Sequence, residues 1–418
     1  MHERRDVIVS GIGVISPIGM NVSELLDSLL ANRSGIGIWR SPQLTKPVAA
    51  GVIDRDFSTE FSKLELPYLD RCSQVAVLAA RQSIADAGLG DFSAYGARAG
   101  LFYGTVCGGI QTEHDWVELF YREHKQMSRP YTLMASMLNA APAQISIRHQ
   151  ILGPVMTHSS ACTSSGSALG DAFRAIRDGY LDVAVAGGAE AAMAPAFIAS
   201  WGGLRALAPI DETDPGRSCR PFSKNRSGLV LSEGGVFLVL ESREHAKSRG
   251  ASCYCRLRGY GVGADAYHIG SPHSNGQIAT LRSALADAEL QPPQIGYFNA
   301  HATATPGGDP VEAVAINHVF DGIPVSGTKG IHGHLLGAAS AMEFAITALA
   351  VNQSFLPATA HLHEPDPQCE LNHVALIPIR DRPIEHGISL SAGFGGTNVA
   401  LIASFEHELS KKTVFAVA

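Results

Sequence analysis

Short apolar runs alternate with stripes of apolar residues at helical spacing, and this alternation occurs twice along the chain. In the first half, Asp6–Gly11 is an apolar run closing on a glycine-rich turn, and Leu25, Leu26, Leu29 and Leu30 follow on one helix face. Val75, Leu78, Ala79 and Ile84 form a second helical face, ended by Gly88. Leu101–Gly104 and Asp182–Gly188 read as buried strands. Between them, Ala168, Leu169, Ala172, Phe173 and Ile176 mark a helix stopped by Gly179, with Arg174 and Arg177 in its last turn. The second half echoes this order. Gly235–Glu241 and Arg256–Gly263 predict strands, Leu281, Ala284, Leu285 and Ala288 a helix, and Gly296–Ala300 a buried strand ending at His301. Leu335, Leu336, Ala339, Met342, Ile346 and Leu349 mark a helix after His334, and Ile388–Leu390 and Val399–Ala403 close the pattern as strands. Strand–helix alternation predicts an α/β fold with helices on sheets, whose reactive residues lie at strand ends and helix starts. The polar, proline-rich stretch 209–225 reads as a surface loop within a domain, and the segment after His407 as poorly packed.

Bulk properties narrow this picture. A chain of 418 residues that is 45% hydrophobic can bury a large core, and only 17% charged residues points to a large subunit interface. A net charge of −7 argues against nucleic acid as a partner. The seven cysteines are scattered and form neither a disulfide framework nor a CxxC metal pair, so Cys253 and Cys255 read as packing and the thiols point to the cytoplasm. The charged start (His2, Glu3, Arg4, Arg5) precedes a short apolar run that reads as a first strand and not a signal peptide. No apolar run is long enough to span a membrane.

Cys162 stands in Ser159–Gly166, just ahead of the predicted helix. Unpaired backbone N–H groups and the macrodipole at a helix start favour a thiolate, the reactive form of cysteine. That context alone leaves a nucleophile and a packed core cysteine both open. Two histidine motifs favour the nucleophile. His301 lies in Asn299–Thr305 at the end of a buried strand, and His334 in Gly333–Ala339 at the predicted start of a helix. Both are flanked by small residues that let a substrate approach, and a helix start keeps an imidazole neutral. His332 reads as a bystander. Gly393–Asn398 is a glycine-dense turn whose backbone N–H groups suit an oxyanion; it lacks the Lys-Ser/Thr of a phosphate loop.

Ala161–Ser164, Asn299–Thr305, the Lys329–Ala339 motif and Gly393–Asn398, in that order, resemble the β-ketoacyl-acyl carrier protein synthases, specifically their elongating type II (FabF-like) branch. Val7–Gly13, Ser218–Phe222 and Ala266–His268 are similar too, and the resemblance runs to about Ser404. It implies a thiolase fold, five layers α-β-α-β-α from two duplicated halves: residues 1–250 with the cysteine, 251–408 with both histidines, and a tail over 409–418. It implies a Cys162–His301–His334 triad, Lys329 and Glu343 as a structural pair, and Phe394 as a gate whose N–H joins that of Cys162 in the oxyanion hole. Thr303 and Thr305 would contact pantetheine, and Phe197, Ile198 and Trp201 would line the acyl pocket. The implied reaction is decarboxylative condensation of an acyl-enzyme with malonyl-acyl carrier protein in fatty-acid or polyketide/polyene synthesis, with no metal and no cofactor. The implied partners are an acidic acyl carrier protein, docking on a patch drawn from Arg122, Lys125, Arg129 and Arg205, and a second subunit. That subunit is either a second copy or a chain-length-factor-like chain. A non-catalytic factor would lack the cysteine, and a degradative thiolase would carry a second cysteine near Gly393–Gly395. The chain departs from the family pattern at Ala302, Ala304 and Leu390–Ala392, and in the bulk of Phe197–Trp201. Either neutral repacking or a pocket reshaped for an unusual acyl chain accounts for this.

Overall fold

The computed structural model describes residues 4–414. Eleven strands make one sheet: β1 (Val7–Ile15), β2 (Ala99–Gly104), β3 (Val155–His158), β4 (Val183–Glu190), β5 (Gly234–Ser242), β6 (Cys255–Ala264), β7 (Tyr297–Asn299), β8 (Pro324–Ser326), β9 (Asn372–His373), β10 (His386–Gly393) and β11 (Thr397–Ser404). Their spatial order is β9-β8-β7-β10-β11-β6-β1-β5-β4-β2-β3. The N-terminal five thus run third, second, fourth, fifth, first, and the C-terminal strands repeat that order with β9 added at the edge. In each half the third, second and fourth strands are parallel and the fifth and first antiparallel. The halves join where Val7–Val9 of β1 pair with Cys255–Leu257 of β6. This is the duplicated α/β architecture the sequence pattern predicts.

Helices complete the layers. α1 (Arg71–Asp86) covers the outer face of the first sheet half, and α4 (Ser274–Asp287) with α5 (Gly308–Val319) covers that of the second. α2 (Ser164–Arg177) and α6 (Ala339–Gln353) fill the space between, and α3 (Pro195–Gly203) lies near the site. α6 is buried along almost its whole length, as expected of a helix that is apolar on every side. Its alanines let both sheet halves approach closely, and Glu343 is its only charged residue.

Several helices escaped the sequence pattern, among them Ile110–Arg122, Ala140–His149, α3 and α5. The segment after His407 is better seated than expected through Lys412: Cys253 N–H donates to the Ser410 carbonyl, Lys412 N–H to that of Cys253, and the Lys412 ammonium pairs with Asp86 at 3.0 Å. The last four residues lie outside the described ones. No helix among the described residues is long and apolar enough to cross a membrane.

Glycine at the end of β2 is a packing requirement. A Cβ on Gly104 would stand 2.2 Å from Ser165 N, in the first turn of α2. Gly104→Val should therefore push α2 off the sheet, costing roughly 3 kcal/mol. A lower urea midpoint with unchanged slope is the expected readout.

Candidate active site

Cys162 sits in the turn between β3 and α2. Ala161, just before it, has φ 54°, a left-handed conformation that costs an L-residue about 1–2 kcal/mol. Contacts from both halves hold this turn. Thr163 Oγ1 donates to the Ser160 carbonyl at 2.7 Å and lies 3.0 Å from Thr397 Oγ1; Ser340 Oγ donates to the Cys162 carbonyl at 2.9 Å. A backbone strained and held in this way is a hallmark of functional positions.

The sulfur lies 3.0 Å from His334 Nε2, and the His301 ring stands 5.4 Å from that of His334, nearly perpendicular to it. Sγ and one nitrogen of each ring lie within 4.8 Å of one another. A metal could bridge such a spacing, but a second positive charge is disfavoured by the Lys329 ammonium 3.1 Å from His301 Nδ1. Lys329 is fully buried and uses all three donors: to His301 Nδ1, to the His301 carbonyl and to the buried Glu343 carboxylate. Ser391 Oγ donates to the other Glu343 oxygen at 3.0 Å. Because Lys329 donates to His301 Nδ1, the ring proton of His301 sits on Nε2. Among the described residues His334 Nδ1 has no hydrogen-bond partner, and the ring's one bond is that between Nε2 and the Cys162 sulfur. His332 donates from Nδ1 to the Gly333 carbonyl and accepts from Thr328 at Nε2, the bonds of a structural histidine.

Burial first, and the Lys329 ammonium second, hold His301 and His334 well below the usual histidine range. Both rings are neutral near pH 7, as the sequence predicts, but not through a helix dipole. His334 lies upstream of α6: its N–H donates to the Val230 carbonyl at 2.7 Å, and a 3-10 turn (Leu336–Ala338) intervenes. The expectation for Cys162 is reversed. Burial pushes its thiol up to about 12, only partly opposed by Lys329 and by the Phe394 N–H that points at the sulfur. Desolvation outweighs the helix start, so the resting sulfur is a thiol.

The loop after His301 is also left-handed, with φ 34° at Ala302 and 63° at Ala304. Glu312 on α5 secures it, accepting from the N–H groups of His301 and Ala302 at 2.7 Å each. Asp309 accepts from Phe222 N–H at 2.8 Å. Sequence reasoning missed both carboxylates; the available signal was their Asp-x-x-Glu spacing at a helix start.

A cavity of about 530 Å³ reaches Cys162, His301 and His334, and Thr303, Thr305, Trp201, Arg205 and Phe394 also line it. Thr303 and Thr305 hydroxyls lie 3.0 Å apart. Phe394 is stacked on Trp201 at 5.5 Å, and Phe197 meets Trp201 edge-on at 6.1 Å. Ile198 and Trp201 belong to an apolar cluster with Met193 and Leu336, onto which Phe197, Val106 and Cys107 pack. Arg205 stands at the cavity wall, whereas Lys125 and Arg129 line a separate surface groove. Arg122 pairs with Glu118 and Lys125 with Glu123 at 2.8 Å. Arg71 is committed inward to Glu233 at 2.7 Å.

Two family models match in succession, described as Beta-ketoacyl synthase, N-terminal domain, over residues 4–246, and Beta-ketoacyl synthase, C-terminal domain, over 254–363. The chain is 35% identical over 415 residues to "3-oxoacyl-[acyl-carrier-protein] synthase 2" of Coxiella burnetii, covering 96% of this chain and 99% of that protein. Among solved structures it resembles "The ishigamide ketosynthase/chain length factor" at TM-score 0.89 and 31% identity, covering 97% of this chain and 100% of that one. It also resembles the AntDE:AntF complex, described as a type II PKS acyl-carrier protein in complex with its ketosynthase bound to the hexaketide. The TM-score there is 0.88 and the identity 27%, over 97% of this chain and 100% of that one. On these matches, the chain belongs to the β-ketoacyl synthase family, with the thiolase fold of its ketosynthases.

Proposed function

We propose that this chain carries out decarboxylative condensation, joining an acyl group held on Cys162 to the two-carbon unit of malonyl-acyl carrier protein. The observation that carries this reading is the Cys162–His334 contact at 3.0 Å beside a His301 held as a donor by Lys329. In the first half-reaction the Cys162 proton passes to His334 Nε2 as Sγ attacks the acyl thioester. The tetrahedral oxyanion is held by the N–H groups of Cys162 and Phe394. Its collapse releases the carrier thiolate, which takes the proton from His334. In the second, malonyl thioester loses CO2, and the enolate oxygen is held by N–H donors from His301 Nε2 and His334 Nε2. The enolate carbon attacks the acyl-Cys162 carbonyl, and the Cys162 thiolate leaves and takes up one proton. His301 needs one tautomer and has it fixed; His334 accepts from the Cys162 thiol in one half-reaction and donates in the other, once acylation has removed that thiol proton and no bond among the described residues holds Nδ1.

Thr303 and Thr305 suit the amides of pantetheine at the cavity wall, and the apolar cluster beyond Trp201 suits the acyl chain. The aromatic wall of Phe197, Trp201 and Phe394 favours flat, unsaturated chains, which supports a polyketide or polyene substrate. No residue of this scheme requires a cofactor. Exposed Val155 and Met156 on edge strand β3, with exposed Met134, Met137 and Leu152, support a dimer interface. The partner is a second copy or a chain length factor, the kind of subunit named beside the ishigamide ketosynthase; the mass of the purified chain in solution separates the two. Seven free thiols support a reducing, cytoplasmic setting.

Cys162→Ala should abolish condensation, by about ten-thousand-fold or more. His301→Ala should spare acyl transfer within about tenfold and slow malonyl decarboxylation about 100–1000-fold. His334→Ala should impair both, because of the two rings it is that of His334 that hydrogen-bonds the sulfur. Separate assays of Cys162 acylation and of CO2 release test this, and full turnover by Cys162→Ala would refute the mechanism. A thiol pushed up to about 12 also fixes the alkylation profile. Iodoacetamide inactivation should rise about tenfold per pH unit from roughly pH 6 to pH 9. A plateau near neutrality would mean a resting thiolate. For the carrier, Lys125→Glu with Arg205→Glu should raise its KM about tenfold at low salt, the difference shrinking as salt is added. An unchanged KM removes these residues from the interface.

A further inference from the structure

Glu190, the last residue of β4, is fully buried and has no part in the scheme above. Its carboxylate accepts four hydrogen bonds, all from neutral donors. Oε2 takes Val106 N–H at 2.7 Å and Gly337 N–H at 3.1 Å; Oε1 takes Cys107 N–H at 3.0 Å and the Thr105 hydroxyl at 3.1 Å. Three of these donors belong to the segment leaving β2, and the fourth to the turn after His334. The two segments touch: a Cβ on Gly337 would stand 2.7 Å from Thr105 Cα and 2.8 Å from Glu190 Oε2.

The same two segments build the apolar cluster behind the cavity. Val106 and Cys107 come from the first and Leu336 from the second, packed with Met193, Ile198 and Trp201. A buried carboxylate left without donors costs several kcal/mol, so the four bonds hold the segments in one relative position. We propose that Glu190 is a positioning residue for specificity: by tying the Thr105–Cys107 loop to the turn after His334 it fixes the width of the acyl pocket, and so which chain lengths are accepted. The proposal rests on the reading that the acyl chain enters the cluster beyond Trp201.

Glu190 also acts on the Cys162 thiol through its charge, raising its pKa. That effect is the same for every acyl donor, so a ratio between two donors cancels it. The test is competition between hexanoyl- and tetradecanoyl-carrier thioesters for Cys162, read by intact mass. Glu190→Gln puts an amide N–H2 in place of one acceptor oxygen. Thr105→Val removes a single donor, together with the acceptor for Gly108 N–H. Glu190→Gln should bring the preference ratio about tenfold closer to one, and Thr105→Val about threefold in the same direction. Trp201→Ala reports on the pocket independently of Glu190, and the ratio again cancels any effect through Phe394, on which Trp201 stacks. An unchanged ratio in Trp201→Ala sinks the pocket reading. A shift there, with the wild-type ratio kept by folded Glu190→Gln, overturns the role of Glu190. If Glu190→Gln does not fold, Thr105→Val decides by the same criterion.

Discussion

The buried Lys329 ammonium is the constraint around which the site is arranged. It has three protons to place and no water to place them in, so each must find an acceptor. One goes to Glu343 on the central helix, one to the His301 carbonyl and one to the His301 ring. The first bond ties β8 to the inner layer, the second holds the backbone after β7, and the third fixes a tautomer. A buried ion pair adds little net stability, and removing one partner costs about 3–5 kcal/mol. Its value here is directional: it holds one imidazole as a donor without making it a cation.

The repeated strand order explains how distant residues meet. Cys162 follows the third strand of the first half, and Lys329 and His334 follow the third strand of the second. His301 follows the second strand of that half. Each half alone has an open inner face; stacked on α2 and α6, the two bring their strand ends to one cavity. Thr397 and Ser340 bond the Cys162 turn from the other half, so the sulfur is placed by both.

Much of this was legible in the sequence because it is local. The stripes of α2 and α6, the strand before His301 and the glycine turn at Phe394 are encoded within a few residues. Helix Ile110–Arg122 was not, because its large apolar residues Val117, Phe120 and Tyr121 are exposed and face no core of this chain. The state of the thiol was misjudged because a helix start is read from neighbours, whereas desolvation comes from the whole fold. Glu190 and Glu312 were missed because a carboxylate that bonds backbone N–H groups leaves no pairing signal; the loop that Glu190 holds lies some eighty residues away. The stacking of Trp201 on Phe394 joins two residues that the family resemblance names separately.

The alanine-rich α6 touches both sheet halves, so its thickness sets their separation. One half carries the sulfur and the other both rings, and the gap between them is therefore gauged by a spacer that bears none of the three. Enlarging an alanine on that spacer would move the sulfur relative to both rings without touching any of the three.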